Sequence, residues 1–425
     1  MTREEMLEFV GRILDQVPAP DVTALLTEIR NAAVRFGQNR ITQNMDTFER
    51  TLTLTVGDGS RKAVLRTSRI GSDTAVGIAE RAMRLLETAA EDPEYMPPVE
   101  GGQSYPIIDD YDEDTAAAAP EQRMRGAHSA IATALAWKLE ASGYSGVKVE
   151  TTALGSSTGN LAYNRRTACV FRLTLDEGRA SSYRALSAAS WDDLPVSETV
   201  EEVAGEVAMD RGQIELEPGD YALVLEPQAV GDLLPFIVWS MGARVADEGI
   251  TVFSGREGEK VTGGNFNLSS EILGPVRGVP FNSEGLPGRD INWIENGILR
   301  NLQCDRFWAK ETGREALFSP GTFSVAGGQG TAMDLAEKVD RGLLIRRFWY
   351  IRFVDQKSNC ITGMTRDGVF LIENGRISAP VKDFRWNWKP LELFDDIVVL
   401  GECQRKGPFY VPSMLLGKRT SPFTR

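Results

Sequence analysis

Histidine is almost missing: His128 is the only one in 425 residues. Most zinc sites and most general-base mechanisms use an imidazole, so chemistry of either kind must use His128 or do without. Cysteine is scarce as well. Cys169, Cys304, Cys360 and Cys403 lie far apart and form no CxxC pair, which speaks against a zinc ribbon or a disulfide framework and fits a reducing cytosol. No apolar run approaches the roughly 20 residues that cross a bilayer. The opening TREEMLEFVGRILDQV is amphipathic and acidic, unlike a secretory leader. Positive charge is in deficit, with 47 Lys and Arg against 60 Asp and Glu and a net charge of −13, which argues against a phosphate-binding surface. A cytoplasmic chain with neither nucleic acid nor membrane as a partner is expected.

What is present is ordinary for a globular protein: 42% hydrophobic and 25% charged residues, in a chain long enough for two or three domains. An α+β fold is expected. The first part, 1–210, reads as an α+β domain. A helix at about 2–16 leads to a second helical run at 21–30. AAVRFGQNRITQN and FERTLTLTVGDGSRKAVLRTSR then alternate as strands do around a GDG turn. DTAVGIAERAMRLLETAA follows as a helix with Asp73 as its N-cap. Residues 91–122, rich in acids, prolines and alanines without period, read as a linker or exposed excursion; cation binding by its acids is the lesser reading. The pattern then recurs. PEQRMRGAHSAIATALAWKLEASG reads as a helix to Gly143, and strand, hairpin and helix follow. TLTLTVGDG at 51–59 lines up with VFRLTLDEG at 170–178, the mark of a diverged internal repeat.

From about residue 213 prolines and glycines become denser, and 211–425 reads as a mainly β domain with helices near 231–246 and 331–340. INWIENGILRNLQ and GVFLIENGRISAPV each carry Asn-Gly between β-like runs, the signal of a type I′ hairpin. WYIRFV and DIVVLGECQ are further strands.

Few residues invite chemistry. Met124, His128, Ile131, Leu135 and Leu139 recur at helical spacing, which places His128 on or beside an apolar stripe, partly buried. No GxSxG elbow exists to serve it. Cys169 reads as a core residue, and Cys304 and Cys360 adjoin strand ends. Cys403 lies in GECQRKG, where Arg405 and Lys406 would lower a thiol pKa; a structural role is still favoured. AGGQGTA leads into a helix and could present amides to an anion, but it lacks the phosphate-loop lysine, so its glycines read as close packing and turns. Asp232 fits a helix N-cap; Glu226 has no assignable role.

VFSGREGEKV (252–261), VPFNSEGLPGRDINWIENGILRNLQCDRFWAKETG (279–313) and VFLIENGRISAPVKDF (369–384) resemble the C-terminal half of TldD/PmbA proteins, and RFGQNRITQN and GNLAYNRRTACVF resemble their N-terminal pattern. The resemblance implies an N-terminal α+β domain, a β-rich metallopeptidase-like domain and dimers, often of a catalytic and a non-catalytic subunit. Catalytic members carry HExxxH on a helix upstream of VFSG, with a later cysteine as a further zinc ligand. Counted back from VFSG, the block falls near PFIVWS and puts Pro235, Phe236 and Ser240 where the two His and the Glu are expected. Pro235 would lie in a first turn, and Leu233, Leu234, Ile237, Val238, Met241 and Val245 form a core-facing stripe. Cys403 matches the late cysteine. The chain therefore reads as having no catalytic, cofactor-binding or metal residues of its own. It reads as the partner of an HExxxH-bearing paralogue, or of itself, around a peptide substrate. The alternatives are a homodimeric peptide- or protein-binding scaffold, and a hydrolase using Asp, Glu or Cys403.

Overall fold

The computed structural model describes residues 1–70, 74–217 and 219–420. Its first half is built twice from one pattern, helix–strand–strand–strand–helix. The first copy is α1 (Arg3–Gln16), β1 (Asp21–Gly37), β2 (Arg40–Gly57), β3 (Lys62–Thr67) and α2 (Ala75–Thr88). A short α3 (Glu113–Ala116) precedes the second copy: α4 (Pro120–Trp137), β4 (Glu140–Ser156), β5 (Leu161–Asp176), β6 (Ser181–Ala188) and α5 (Val196–Met209). All six strands form one antiparallel sheet in the order β3-β2-β1-β4-β5-β6. The expected repeat is thus present, its two copies joined along β1 and β4. The aligned glycines Gly59 and Gly178 close the equivalent turns at φ +97° and +91°, a region open to glycine at no steric cost.

Residues 21–30, expected as a helix, are the start of β1. Val22, Ala24, Leu26 and Glu28 are buried while their odd-numbered neighbours are less so, a period of two that fits a strand with one face on a core. Val22, Ala24 and Leu26 pack with α1, and Val34 and Phe36 with α4. Since all are even-numbered, both helix layers cover one face of the sheet. The helix from 120 ends at Trp137, not Gly143, because Lys138 turns left-handed (φ +60°) and β4 begins. Its buried face is Arg123, Ala127, Ala130 and Ala134. Small residues bring α4 close to the sheet and to α5, and the larger Leu135 is left 62% exposed. His128 is correspondingly exposed, not part of an apolar stripe. α2 is capped by Thr74, whose hydroxyl accepts from the Gly77 amide; Asp73, the expected cap, lies outside the described residues.

The acidic segment is tied down rather than an exposed excursion. Asp92 pairs with Lys62, Glu94 with Arg244, Asp110 with Arg166 and Glu113 with Arg165. Asn160 donates to the carbonyls of Val99 and Glu100. Among the described residues no three of the segment's acids gather into a group that could hold a metal ion.

The second half is mainly β, as expected. In chain order its elements are β7 (Asp220–Leu225), α6 (Pro227–Val238), α7 (Ala243–Asp247), β8 (Leu268–Ser270), β9 (Ile291–Glu295), β10 (Ile298–Leu299), α8 (Arg306–Thr312), β11 (Phe323–Val325), α9 (Ala332–Ala336), β12 (Arg341–Ile345), β13 (Phe348–Asp355), β14 (Cys360–Thr365), β15 (Val369–Glu373), β16 (Arg376–Pro380), β17 (Arg385–Trp388), α10 (Pro390–Leu393), β18 (Ile397–Lys406) and β19 (Phe409–Thr420). A mixed sheet runs β10-β9-β8-β11-β19-β7-β12-β15-β16 with β18 on β19, and β13-β14-β17 form a second sheet. Asn296-Gly297 and Asn374-Gly375 have positive φ and close the two expected hairpins. The helix expected over 231–246 is two pieces: α6 starts earlier, at Pro227, and the chain breaks before α7. Among the described residues no helix is long and apolar enough to cross a membrane.

The buried face of α4 can be tested directly. Ala130→Leu should cost about 1–3 kcal/mol by overpacking, and Leu135→Ala should stay within about 0.5 kcal/mol as a surface change. Denaturant unfolding of both variants measures this; the opposite ranking would restore the Leu135 stripe.

Candidate functional site: the two ends of α6

The strand–break–helix sequence LVLEPQAVGDLLPFIV puts β7 into the sheet and α6 directly after it. Pro227 occupies the first helical position, where its missing N–H costs nothing. The two ends of this helix differ in chemistry.

The C-terminal end, where the zinc-ligand block was expected, is packing. Pro235 sits in the helix interior rather than in a first turn, so the Gly231 carbonyl loses its helical donor. Phe236 is buried and makes edge-to-face contacts with Trp239 and Phe353 at 5.1 Å each. Ser240 is buried and donates to the Phe236 carbonyl at 2.9 Å, and the Asn359 amide donates to that carbonyl and to Ser240 Oγ at 2.8 and 3.0 Å. Two of these bonds satisfy the Phe236 carbonyl, one of those that a helix end leaves open. Leu233, Leu234, Ile237 and Met241 lie in the main core, as their spacing predicts.

The N-terminal end opens onto a cavity of about 400 Å³ between the two halves of the chain. Tyr183 and Arg184 of β6, Glu226, Gln228, Met333 and Lys406 are among its walls. Glu226, not Asp232, precedes the helix, and it makes no side-chain cap. Its carboxylate instead faces Arg346 at 3.3 Å and Arg184 at 3.6 Å. Both arginines also pair with Glu206 of α5, Arg346 at 2.9 Å. Asp232 lies one turn further in, accepting from Gln228 Nε2 at 2.8 Å and from the Phe348 amide at 2.9 Å. Lack of solvent raises its carboxyl to about 6. Lys406 reaches the cavity from β18, and burial, then the nearby Arg184 charge, lowers its ammonium to about 8.

Cys403 does not converge on this cavity. It lies three residues from Lys406 on β18, hence on the other face, and lines a separate cavity of about 310 Å³ with Asn292, Glu295 and Tyr410. The basic setting expected from Arg405 and Lys406 does not act on it: burial pushes the thiol up to about 11, which leaves it protonated and a poor nucleophile. Cys169 is a core residue, as expected, pushed up to about 12 by burial. Cys304 is buried and Cys360 half-buried. The AGGQGTA loop is not an anion cradle. α9 has five residues, and its first amides are engaged in a capping box between Thr331 and Asp334. The glycines serve close approach: a Cβ on Gly327 would lie 2.4 Å from Cys403 Sγ, and one on Gly328 2.2 Å from the Leu400 carbonyl.

Residues 218–420 match the family described as the PmbA/TldA metallopeptidase C-terminal domain. The second half of the chain belongs to that TldD/PmbA domain family. Three solved structures share the fold over almost their whole length. A candidate modulator of DNA gyrase from Thermotoga maritima has a TM-score of 0.86 at 18% identity, covering 98% of this chain and 99% of that one. TldE from Thermococcus kodakarensis has 0.86 at 16% identity, covering 98% of each chain. A further candidate gyrase modulator, from Bacteroides thetaiotaomicron, has 0.84 at 18%, again covering 98% of each. No curated protein matches the chain.

The zinc implied for catalytic TldD/PmbA members does not fit the residues found here. At the cavity end of α6 an HExxxH frame falls on Pro227, Gln228 and Asp232, and at the other end on Pro235, Phe236 and Ser240. Neither offers an imidazole, Asp232 already accepts two hydrogen bonds, and the neighbouring Lys406 is a cation. Among the described residues no three His, Cys, Asp or Glu side chains form a metal-binding group. Counting back from VFSG leads to the packed end of α6 and does not point to the cavity at its start. The Glu-Pro pair after an apolar strand was the available signal.

Near this junction Asp210, which ends α5, is buried and accepts from the Ser181 amide at 3.1 Å and Gln213 Nε2 at 2.8 Å. Desolvation raises its carboxyl from 3.8 to about 6. The folded chain thus holds this proton at higher pH than the unfolded chain does. The stability so gained is complete below about pH 4 and is lost as pH rises through about 6. Asp210→Asn should melt higher than the parent at about pH 7 and lose that advantage near pH 4. Thermal melts across this range check it; a constant difference at all pH values would contradict the assignment.

Proposed function

We propose that this chain is the zinc-free partner subunit of a TldD/PmbA-type peptidase. In this reading it pairs with an HExxxH-bearing paralogue in the cytoplasm. It helps enclose unfolded or modified peptides that the paralogue cleaves. The observation that carries the reading is α6: the fold is that of the family, while both stretches of the helix that could carry the motif hold Pro, Gln, Asp, Phe and Ser instead of zinc ligands. β13 supports the peptide-holding part. It is an edge strand, with Trp349, Tyr350 and Val354 exposed, and an extended peptide can add to such an edge through its main chain.

The test is to purify the chain alone and together with the paralogue, then measure zinc by elemental analysis and turnover of an unstructured peptide. The lone chain should hold no stoichiometric zinc and turn over no peptide, and the pair should do both. Stoichiometric zinc with full turnover in the lone chain would overturn the proposal.

A further inference from the structure

The cavity at the start of α6 has donors that nothing in the protein uses. α6 begins with Pro227 and has no side-chain cap, so the amide of Gln228, which lines the cavity, has no acceptor among the described residues. An open first turn favours an anion through its aligned N–H groups. Lys406 projects into the same space from β18 and has no carboxylate within ion-pair distance among the described residues. Ser413, on the neighbouring strand, is 1% exposed, and its hydroxyl has no hydrogen-bond partner. Ser413 also lines the cavity. A buried hydroxyl left unpaired costs free energy, which a ligand able to accept from it would recover.

We infer that this cavity binds the free C-terminal carboxylate of a short peptide, between Lys406, the open first turn of α6 and Ser413. The rest of the lining selects among anions. Glu202 and Glu402 lie in the same wall, which disfavours a multiply charged phosphate and suits a ligand that carries a positive group as well. Leu186 and Met333 add apolar surface for side chains. A volume of about 400 Å³ lies in the range of pockets for small ligands and is too small for a folded partner. Arg184 and Glu226 do not compete for the ligand, because each is held by the charge network with Glu206 and Arg346.

The inference deepens the proposed peptide-holding role, and its test runs on the chain alone, so failure to pair or to cleave would leave it standing. Calorimetric titration with trialanine and with trialanine amide compares ligands that differ only at the carboxyl end. The acid should bind, and the amide should bind at least about tenfold more weakly, the scale of one charge-assisted hydrogen bond. Lys406→Met should weaken the acid by about tenfold and leave the amide unchanged, and Lys406→Arg should restore part of the loss. The comparison of acid and amide on the unaltered chain holds even if a variant folds poorly. Equal binding of the two peptides, no binding of either, or an unchanged affinity in Lys406→Met would overturn the inference. Displacement by inorganic phosphate as effective as by trialanine would overturn it in favour of a simple anion site.

Discussion

The ion-pair network of Glu206, Arg346, Glu226 and Arg184 is the constraint on which the site depends. Its members come from α5, the end of β12, the entry to α6 and β6, so it joins the doubled N-terminal sheet to the β-rich half. Arg346 is 7% exposed, and a buried charge left alone costs several kcal/mol. Each member is therefore fixed by the others. One consequence reaches α6. Glu226 stands at the N-cap position, and its carboxylate is turned to two arginines instead of the helix amides. The first turn stays open because the residue that would close it is held elsewhere.

The same helix separates packing from chemistry along its length. Leu233, Leu234, Phe236 and Ile237 anchor it in the main core, and Ser240 with Asn359 closes its C-terminal end. Gln228 and Asp232 bond to each other one turn apart on the cavity side. Through the Phe348 amide, Asp232 also fixes where β13 departs. The helix is thus tied to the second sheet by a carboxylate that loss of solvent holds near neutrality. Lys406, drawn toward Glu226 and Asp232 without contacting either, supplies the cavity's unspent positive charge.

Much of the fold was legible because it rests on local rules. Asn296-Gly297 and Asn374-Gly375 marked hairpins through their need for positive φ, and the alignment of Gly59 with Gly178 revealed the repeat. The failures share a cause: they turn on what lies across the chain. DVTALLTEIR satisfies both periodicities in part, and only pairing with β2 and β4 selects the strand. On α4 helical spacing selects Met124, His128, Ile131 and Leu135, whereas close approach to the sheet favours Ala127, Ala130 and Ala134. Cys403 has basic neighbours in sequence, yet alternation along β18 puts Lys406 on the opposite face and burial decides the thiol. The partners of Glu226 lie 42 residues before it and 120 after it, beyond any motif.

A metallopeptidase-related fold whose α6 carries no histidine raises a question of stability, since a bound metal contributes folding free energy wherever its ligands are brought together by folding. Here α6 needs no such contribution. Its inner face is closed by apolar side chains, the Phe236 carbonyl near its C-terminal end is met by Ser240 and Asn359, and Glu226 at its entry is held by two arginines. Each of these contacts is made whether or not a cation is present. The helix therefore stands on these contacts with no imidazole at any of its positions. The cavity offers one ammonium and the open amide of Gln228, an arrangement suited to receive negative charge from a ligand rather than to polarise a carbonyl with a metal.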